Sequence, residues 1–242
     1  MRIRSEIVEA LLRQEGLRFM DRSVYLWTAS LHPGSVRELA LATGLTWRST
    51  AESCRRLAAA GWLHISREAA LSTRPIPLIP AEVQVLLAQR LEAEYALAPH
   101  KGEFLMRQYL DLLVRNDNYV DNARPDFLQS PLTGYPLEYD RFYLQGIAFE
   151  FNGAHHLGPG PGVDEATYKE TRTRDLLKAA LSREAGVELV IIKADDLLPG
   201  AFEARIPSHL QRNDVAESGA YYRTLARIAT AYVTKVRRMS GR

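Results

Sequence analysis

"LEYDRFYLQGIAFEFNGAHH", residues 137–156, decides how the second half of this chain folds. Two runs that mix aromatic or aliphatic with charged residues, 137–144 and 147–152, are separated by Gln145 and Gly146. Strand-like patterning on both sides of a short glycine-bearing turn predicts an antiparallel hairpin. With the turn at Gln145 and Gly146, Asp140 and Glu150 fall almost opposite one another, where Cβ atoms lie about 5 Å apart. Two carboxylates that close repel unless a cation sits between them or one takes a proton. A divalent metal meets that need, and an oxygen-rich site favours Mg2+ or Mn2+, which keep some waters and accept phosphate oxygens. The plainer alternative is a cross-strand ion pair of Glu150 with Arg141, which needs no metal.

The hairpin leads into His155 and His156, then into "LGPGPG" at 157–162. That run lacks the lysine and helix start of a phosphate-cradling loop and reads as a loop bordering the site. An imidazole near its ordinary pKa of ~6.5 can move a proton at neutral pH, so His156, where the chain can turn back over the hairpin, is a candidate general base. "DEATYKETRTRDLLKAALSREAG", 164–186, predicts a long helix on which Asp175 and Lys178 share a face, suited to an orienting acid and a phosphate-facing cation. "VELVIIK", 187–193, predicts a further strand before a turn at 194–196. Hairpin, crossover helix and strand together predict an α/β domain, a mixed sheet flanked by helices.

Upstream, "GEFLMRQYLDLLVRN", 102–116, reads as an amphipathic helix, and 117–136 as a long proline-punctuated loop. Asp126 in "RPDF" competes for the role of central acid, but a loop holds a ligand less rigidly than the strand that carries Asp140. The segment from about Val215 to Arg238 is expected to be a final helix with a basic end.

The first third is mainly helical. Ile7, Val8, Leu11 and Leu12 mark one helix face, and Asp21 is placed to cap a second helix that "HPG" stops. Ser35 caps "SVRELALATG", Gly44 ends it, and Thr46 opens a longer helix. On that helix Ala51, Cys54, Leu57 and Ala58 face inward, while Arg48, Ser49, Glu52, Arg55 and Arg56 face outward. "GWLHIS" and "LSTRPIPLIP" make a hairpin wing, with the prolines confining its second strand to an edge. Domain boundaries follow: a helix-turn-helix with a wing over 1–80, a connecting helix over 81–100 and the α/β domain over 101–242. Thr46, Arg48, Ser49, Arg55 and Arg56 are the expected contacts to double-stranded DNA.

"LATGLTWRSTAESCRRLAAAGWL" resembles the winged helix-turn-helix of bacterial regulators over roughly residues 20–80. The hairpin, together with "RDLLKAALSREAGVELVII", resembles the core of very short patch repair endonucleases and related homing endonucleases, members of the PD-(D/E)XK superfamily with the restriction-endonuclease-like fold. That similarity runs from about Glu103 to Asp196. It implies a metal-dependent endodeoxyribonuclease in which Asp140 and Glu150 bind Mg2+ or Mn2+ and His156 is the base. It further implies that Asp175 and Lys178 act from the following helix and that Glu103 approaches the metal through water. Three features depart from the pattern. Asn152 stands where the wider superfamily has lysine, the repair enzymes' structural zinc ligands are absent, and the winged helix is no part of them. The other reading is a DNA-binding regulator or assembly subunit with an inactive nuclease-like domain, and RNA is an alternative substrate.

Composition sets the outer limits. Across 242 residues, 46% hydrophobic content suffices for a sizeable core. The single cysteine, Cys54, excludes an intramolecular disulfide and a multi-cysteine zinc site. The helical spacing of the opening residues lacks the apolar core of a secretory signal, and nothing approaches a membrane span, so a soluble cytoplasmic protein is expected. Residues 1–80 hold eleven arginines, no lysine and seven acids, a charge of 11 − 7 = +4 against +2 for the whole chain, so electropositive surface is local. A homodimer would place two sites to cut both DNA strands, where one site nicks one.

Overall fold

The computed structural model describes residues 5–65, 72–116, 118–153, 165–213 and 219–239. They fall into two units, 1–90 with 218–221 and 91–217 with 222–242. The dividing point lies between Arg90 and Leu91, inside the expected connecting helix, α5 (Ala81–Leu97).

The N-terminal unit begins with α1 (Ser5–Arg13), α2 (Phe19–Leu31), α3 (Val36–Thr43) and α4 (Trp47–Ala59). Its boundaries follow local chemistry. Ser35 accepts the Glu38 N–H, Gly44 turns the chain at φ +69°, and Thr46 accepts the Ser49 N–H, so the tight turn between α3 and α4 forms where the sequence places it. His32 ends α2 in the left-handed region at φ 48°. Two short strands, β1 (Leu63–His64) and β2 (Ile76–Pro77), pair antiparallel where the wing is expected. Trp62, fully buried, meets the Tyr25 ring edge-on at 5.1 Å and anchors the wing to α2.

Two expectations for this unit need correction. Asp21 is not the N-cap residue of α2, which is Arg18; it lies in the helix's first turn, wholly buried, and caps from inside by accepting the Arg18 N–H at 2.9 Å. Arg56 does not face outward to DNA. Its Nε and Nη2 donate to the Asp21 carboxylate at 2.9 and 2.7 Å, because a buried charge on α2 must be matched from α4. A periodicity count puts Arg56 on the polar face of α4, but it is blind to that buried acid across the helix pair.

The C-terminal unit is mixed α/β. A four-stranded sheet runs in the order β3 (Tyr119–Ala123), β4 (Tyr139–Tyr143), β5 (Ile147–Asn152), β6 (Glu188–Lys193). The first three strands are antiparallel and β6 is parallel to β5, reached through α7 (Glu165–Glu184). Helix α6 (Lys101–Leu113) precedes the sheet; a 3-10 turn (Ala194–Leu197), α8 (Ala201–Arg205) and α9 (Ala220–Met239) follow it. On β5, Glu150 reaches Lys178 of α7, whereas the next residue, Phe151, lies against Gly102 of α6. Successive strand side chains point to opposite faces, so α6 and α7 cover the two sides of the sheet. Gly102 is required there, since a Cβ would overlap the Phe151 ring.

Strand β3 lies inside the segment expected to be a loop. Asp121 and Asn122 are poor strand formers, and tertiary contacts override that preference. Arg141, 1% exposed on β4, donates to both oxygens of Asp121 at 2.7 and 3.1 Å and to Asp111 of α6 at 2.7 Å. Its guanidinium also lies 3.9 Å from the centroid of the Tyr119 ring. The alternative Glu150–Arg141 pair is therefore not formed, because Arg141 pairs with Asp111 and Asp121 and Glu150 with Lys178.

All three tryptophans of the chain, Trp27, Trp47 and Trp62, belong to the N-terminal unit, so their fluorescence reports its unfolding in the intact protein. Burial pushes the Asp21 carboxyl up, but Arg56, Ser53 and the Arg18 N–H outweigh it and hold the folded pKa below the ordinary value of 3.8. The stabilisation is thus complete above the unfolded pKa and lost as pH falls through the folded one. Asp21→Asn should cost about 3 kcal/mol near neutral pH, and the gap from the native protein should close below about pH 4. A gap independent of pH would contradict the ion-pair assignment.

Candidate functional site

Three hairpin pairs, Arg141 with Phe149, Phe142 with Ala148 and Tyr143 with Ile147, fix the register of β4 on β5. Continued by one residue, that register sets Asp140 directly against Glu150, one residue away from the register of a two-residue turn at Gln145 and Gly146, which would set Arg141 there. The connection is Leu144 to Gly146, and Gly146 takes φ +91°, a conformation that favours glycine. Asp140 and Glu150 are both half-buried. The Phe151 N–H donates to Asp140 Oδ2 at 2.7 Å, fixing that carboxylate to the backbone of the opposing strand.

Lys178 supplies the nearest cation. It lies on α7 with its side chain 8% exposed, and its Nζ donates to Glu150 Oε1. One turn further along α7, Ser182 meets the Tyr139 hydroxyl at 2.5 Å, so two side chains of the helix fix its position over the sheet. Asp175, one turn before Lys178, is half-buried and adds negative charge near Glu150. Burial first, then the Asp140 charge, pushes the Glu150 carboxyl up to about 7 against the opposing pull of Lys178. Burial likewise raises Asp140, although the Phe151 N–H, Lys178 and Arg107 favour its charged form.

Helix α6 contributes from the other side. Glu103 is half-buried, and burial followed by the Asp140 charge raises its pKa. Arg107, one turn on, lies 2.5 Å from Glu103 Oε1, 2.6 Å from Asn122 Oδ1 and 3.0 Å from the Asp140 carbonyl oxygen. Asn122, opposite Asp140 on β3, takes φ 53° and that pair drops out of the strand register. The Arg107 guanidinium thus bonds the Asp140 carbonyl where the ladder is interrupted. Sequence reading missed Arg107 and Asn122 because a lone arginine on a helix and an asparagine in a presumed loop carry no periodic signal.

The structure brings Glu150 together with Asp140, Lys178 and Asp175, and on the α6 side it sets Glu103 near Asp140. His156, like His155 and the "LGPGPG" run, lies outside the described residues. The competing Asp126 is exposed in a turn. Among the described residues no group of three or more His, Cys, Asp and Glu side chains is arranged to hold a metal ion. The two-carboxylate donor set nonetheless fits a partly hydrated Mg2+ or Mn2+: Glu150 Oε2 is buried with no hydrogen-bond partner among the described residues, and a hard cation accepts such an oxygen.

In the N-terminal unit, Thr46, Arg48, Ser49 and Arg55 are exposed along α4, whereas Arg56 is held by Asp21. Thr46 and Ser49 spend part of their hydrogen bonding on each other at 2.9 Å. Trp47 is 54% exposed beside them, with Arg48 at 5.9 Å from its ring centroid. No helix among the described residues is long and apolar enough to cross a membrane.

Removing one partner of a buried ion pair strands the other charge. Lys178→Met should lower unfolding free energy by about 3–5 kcal/mol at about pH 8, where Glu150 is ionised. Adding Glu150→Gln to that variant should recover part of the loss, measured by urea unfolding under far-UV circular dichroism. Strict additivity of the two changes would show that the side chains are not coupled.

No protein-family model, curated protein or solved structure matches the chain.

Proposed function

We propose that this protein is a Mg2+- or Mn2+-dependent endodeoxyribonuclease whose α/β unit has the restriction-endonuclease-like fold and whose winged helix-turn-helix binds or positions double-stranded DNA. The observation that carries the reading is the opposition of Asp140 and Glu150 on rigid strands, with Lys178 delivered from the crossover helix. A metal bound there would polarise the phosphate and activate the attacking water. Asp140 and Glu150 would hold it, each fixed beforehand by a bond to Phe151 or Lys178. Lys178 keeps one positive charge beside the carboxylates where phosphate would enter, with Asp175 near Glu150 and Glu103 near Asp140. His156 is the proposed proton acceptor.

Exposed Thr46, Arg48, Ser49 and Arg55 on α4 support the DNA-binding half of the proposal, since donors and positive charge on the second helix of such a motif meet phosphates and base edges. Arg56 is withdrawn from that role. One site per chain accounts for nicking, and a homodimer would be needed for concerted cutting of both strands.

A second reading is favoured by one feature: Lys178 already offsets the charge of Glu150, so the carboxylate pair can persist without a metal. On that reading the α/β unit is inactive and the protein is a DNA-binding regulator or assembly subunit.

With Mg2+ or Mn2+, the purified protein is expected to convert supercoiled plasmid into nicked circles or linear DNA. Asp140→Asn and Glu150→Gln should each lower the rate by at least about 100-fold while leaving DNA binding intact. Cleavage that survives both changes would defeat the active-site assignment, and a matched RNA duplex tests the nucleic acid preferred.

A further inference from the structure

Asn152 occupies the position at which the resemblance leads one to expect lysine, and its side chain carries an oxygen in an unusual state. Asn152 Oδ1 is buried and has no hydrogen-bond partner among the described residues, the same condition as Glu150 Oε2. The two residues are two apart on β5, so their side chains share one face of the sheet, the face to which Asp140 is opposed. A buried amide oxygen without a partner is costly, and such exceptions call for a ligand, an ion or a water.

The surrounding charges favour a cation over a neutral donor. Asp140 and Glu150 are two acids side by side, with Asp175 close by, and among the described residues Lys178 bonds Glu150 Oε1. Glu150 is thereby divided, one oxygen taken by an ammonium and the other left open. A lysine at 152 would have added a second ammonium and removed an oxygen donor. Asparagine instead adds a neutral, hard oxygen of the kind Mg2+ and Mn2+ accept.

We infer that Asn152 is a metal ligand: its Oδ1, Glu150 Oε2 and the Asp140 carboxylate together form a single divalent-cation site, while Lys178 takes over the cationic role that position 152 has lost. The inference rests on the metal-dependent reading above and assigns within it a donor not included there. It also explains why the departure at 152 coincides with a lysine buried on α7.

Titration of the full-length protein with Mn2+ alone, followed by the electron paramagnetic resonance signal of free Mn2+, tests this without any cleavage step. The native protein should bind one ion. Asn152→Leu should weaken binding by about tenfold or more, and Asn152→Asp, which keeps the oxygen and adds charge, should tighten it by about tenfold. The gain in the aspartate variant cannot arise from misfolding, so it decides the matter if the leucine variant folds poorly. Native binding unchanged in both variants would overturn the role of Asn152 and leave the two-carboxylate site standing. Absence of Mn2+ binding by the native protein would overturn both.

Discussion

Opposed carboxylates on one face of a hairpin repel, and the C-terminal unit is organised around that cost. The register that sets Asp140 against Glu150 is enforced by a three-residue connection and by aromatic residues that must stay inside. Slipping the strands by one residue would turn every side chain of one strand to the wrong face. The compensation must therefore come from outside the hairpin. Lys178 provides it from α7, which explains why a lysine can be almost fully buried in a helix otherwise rich in exposed charge.

The opposite face solves a similar problem with the sign reversed. Arg141 brings a positive charge into the interior, and Asp111 and Asp121 converge on it from α6 and β3. Two adjacent residues of β4 thus carry opposite charges to different partners. Glu150 draws the crossover helix into place through Lys178, and Arg141 draws the helix before the sheet through Asp111. The same electrostatics that hold α7 against the sheet fix Glu150 of the candidate site, since its carboxylate cannot shift without disturbing a packed helix.

Local chemistry was legible in the sequence wherever one residue acts on its neighbours. Ser35, Gly44 and Thr46 mark helix ends because capping is a matter of a few residues, and the turn at Gln145 and Gly146 brings Asp140 to within one residue of opposing Glu150. Features that depend on distant partners were not legible. Strand β3 exists because Arg141 and β4 hold it, Arg56 turns inward because Asp21 is buried on another helix, and Arg107 matters because Asn122 interrupts a ladder. Lys178 was visible as a residue on the right helix face, but its near-complete burial and its bond to Glu150 were not.

Strand β3 also lies at the margin of the sheet, with one side unpaired among the described residues. A long, flat margin is a template on which another chain can add a strand, the first step towards aggregation. Asn122 bends the backbone out of the extended region four residues into a five-residue strand. The kink that makes room for Arg107 at Asp140 therefore also shortens the run of free backbone groups, protecting the sheet from unwanted strand addition at its exposed margin.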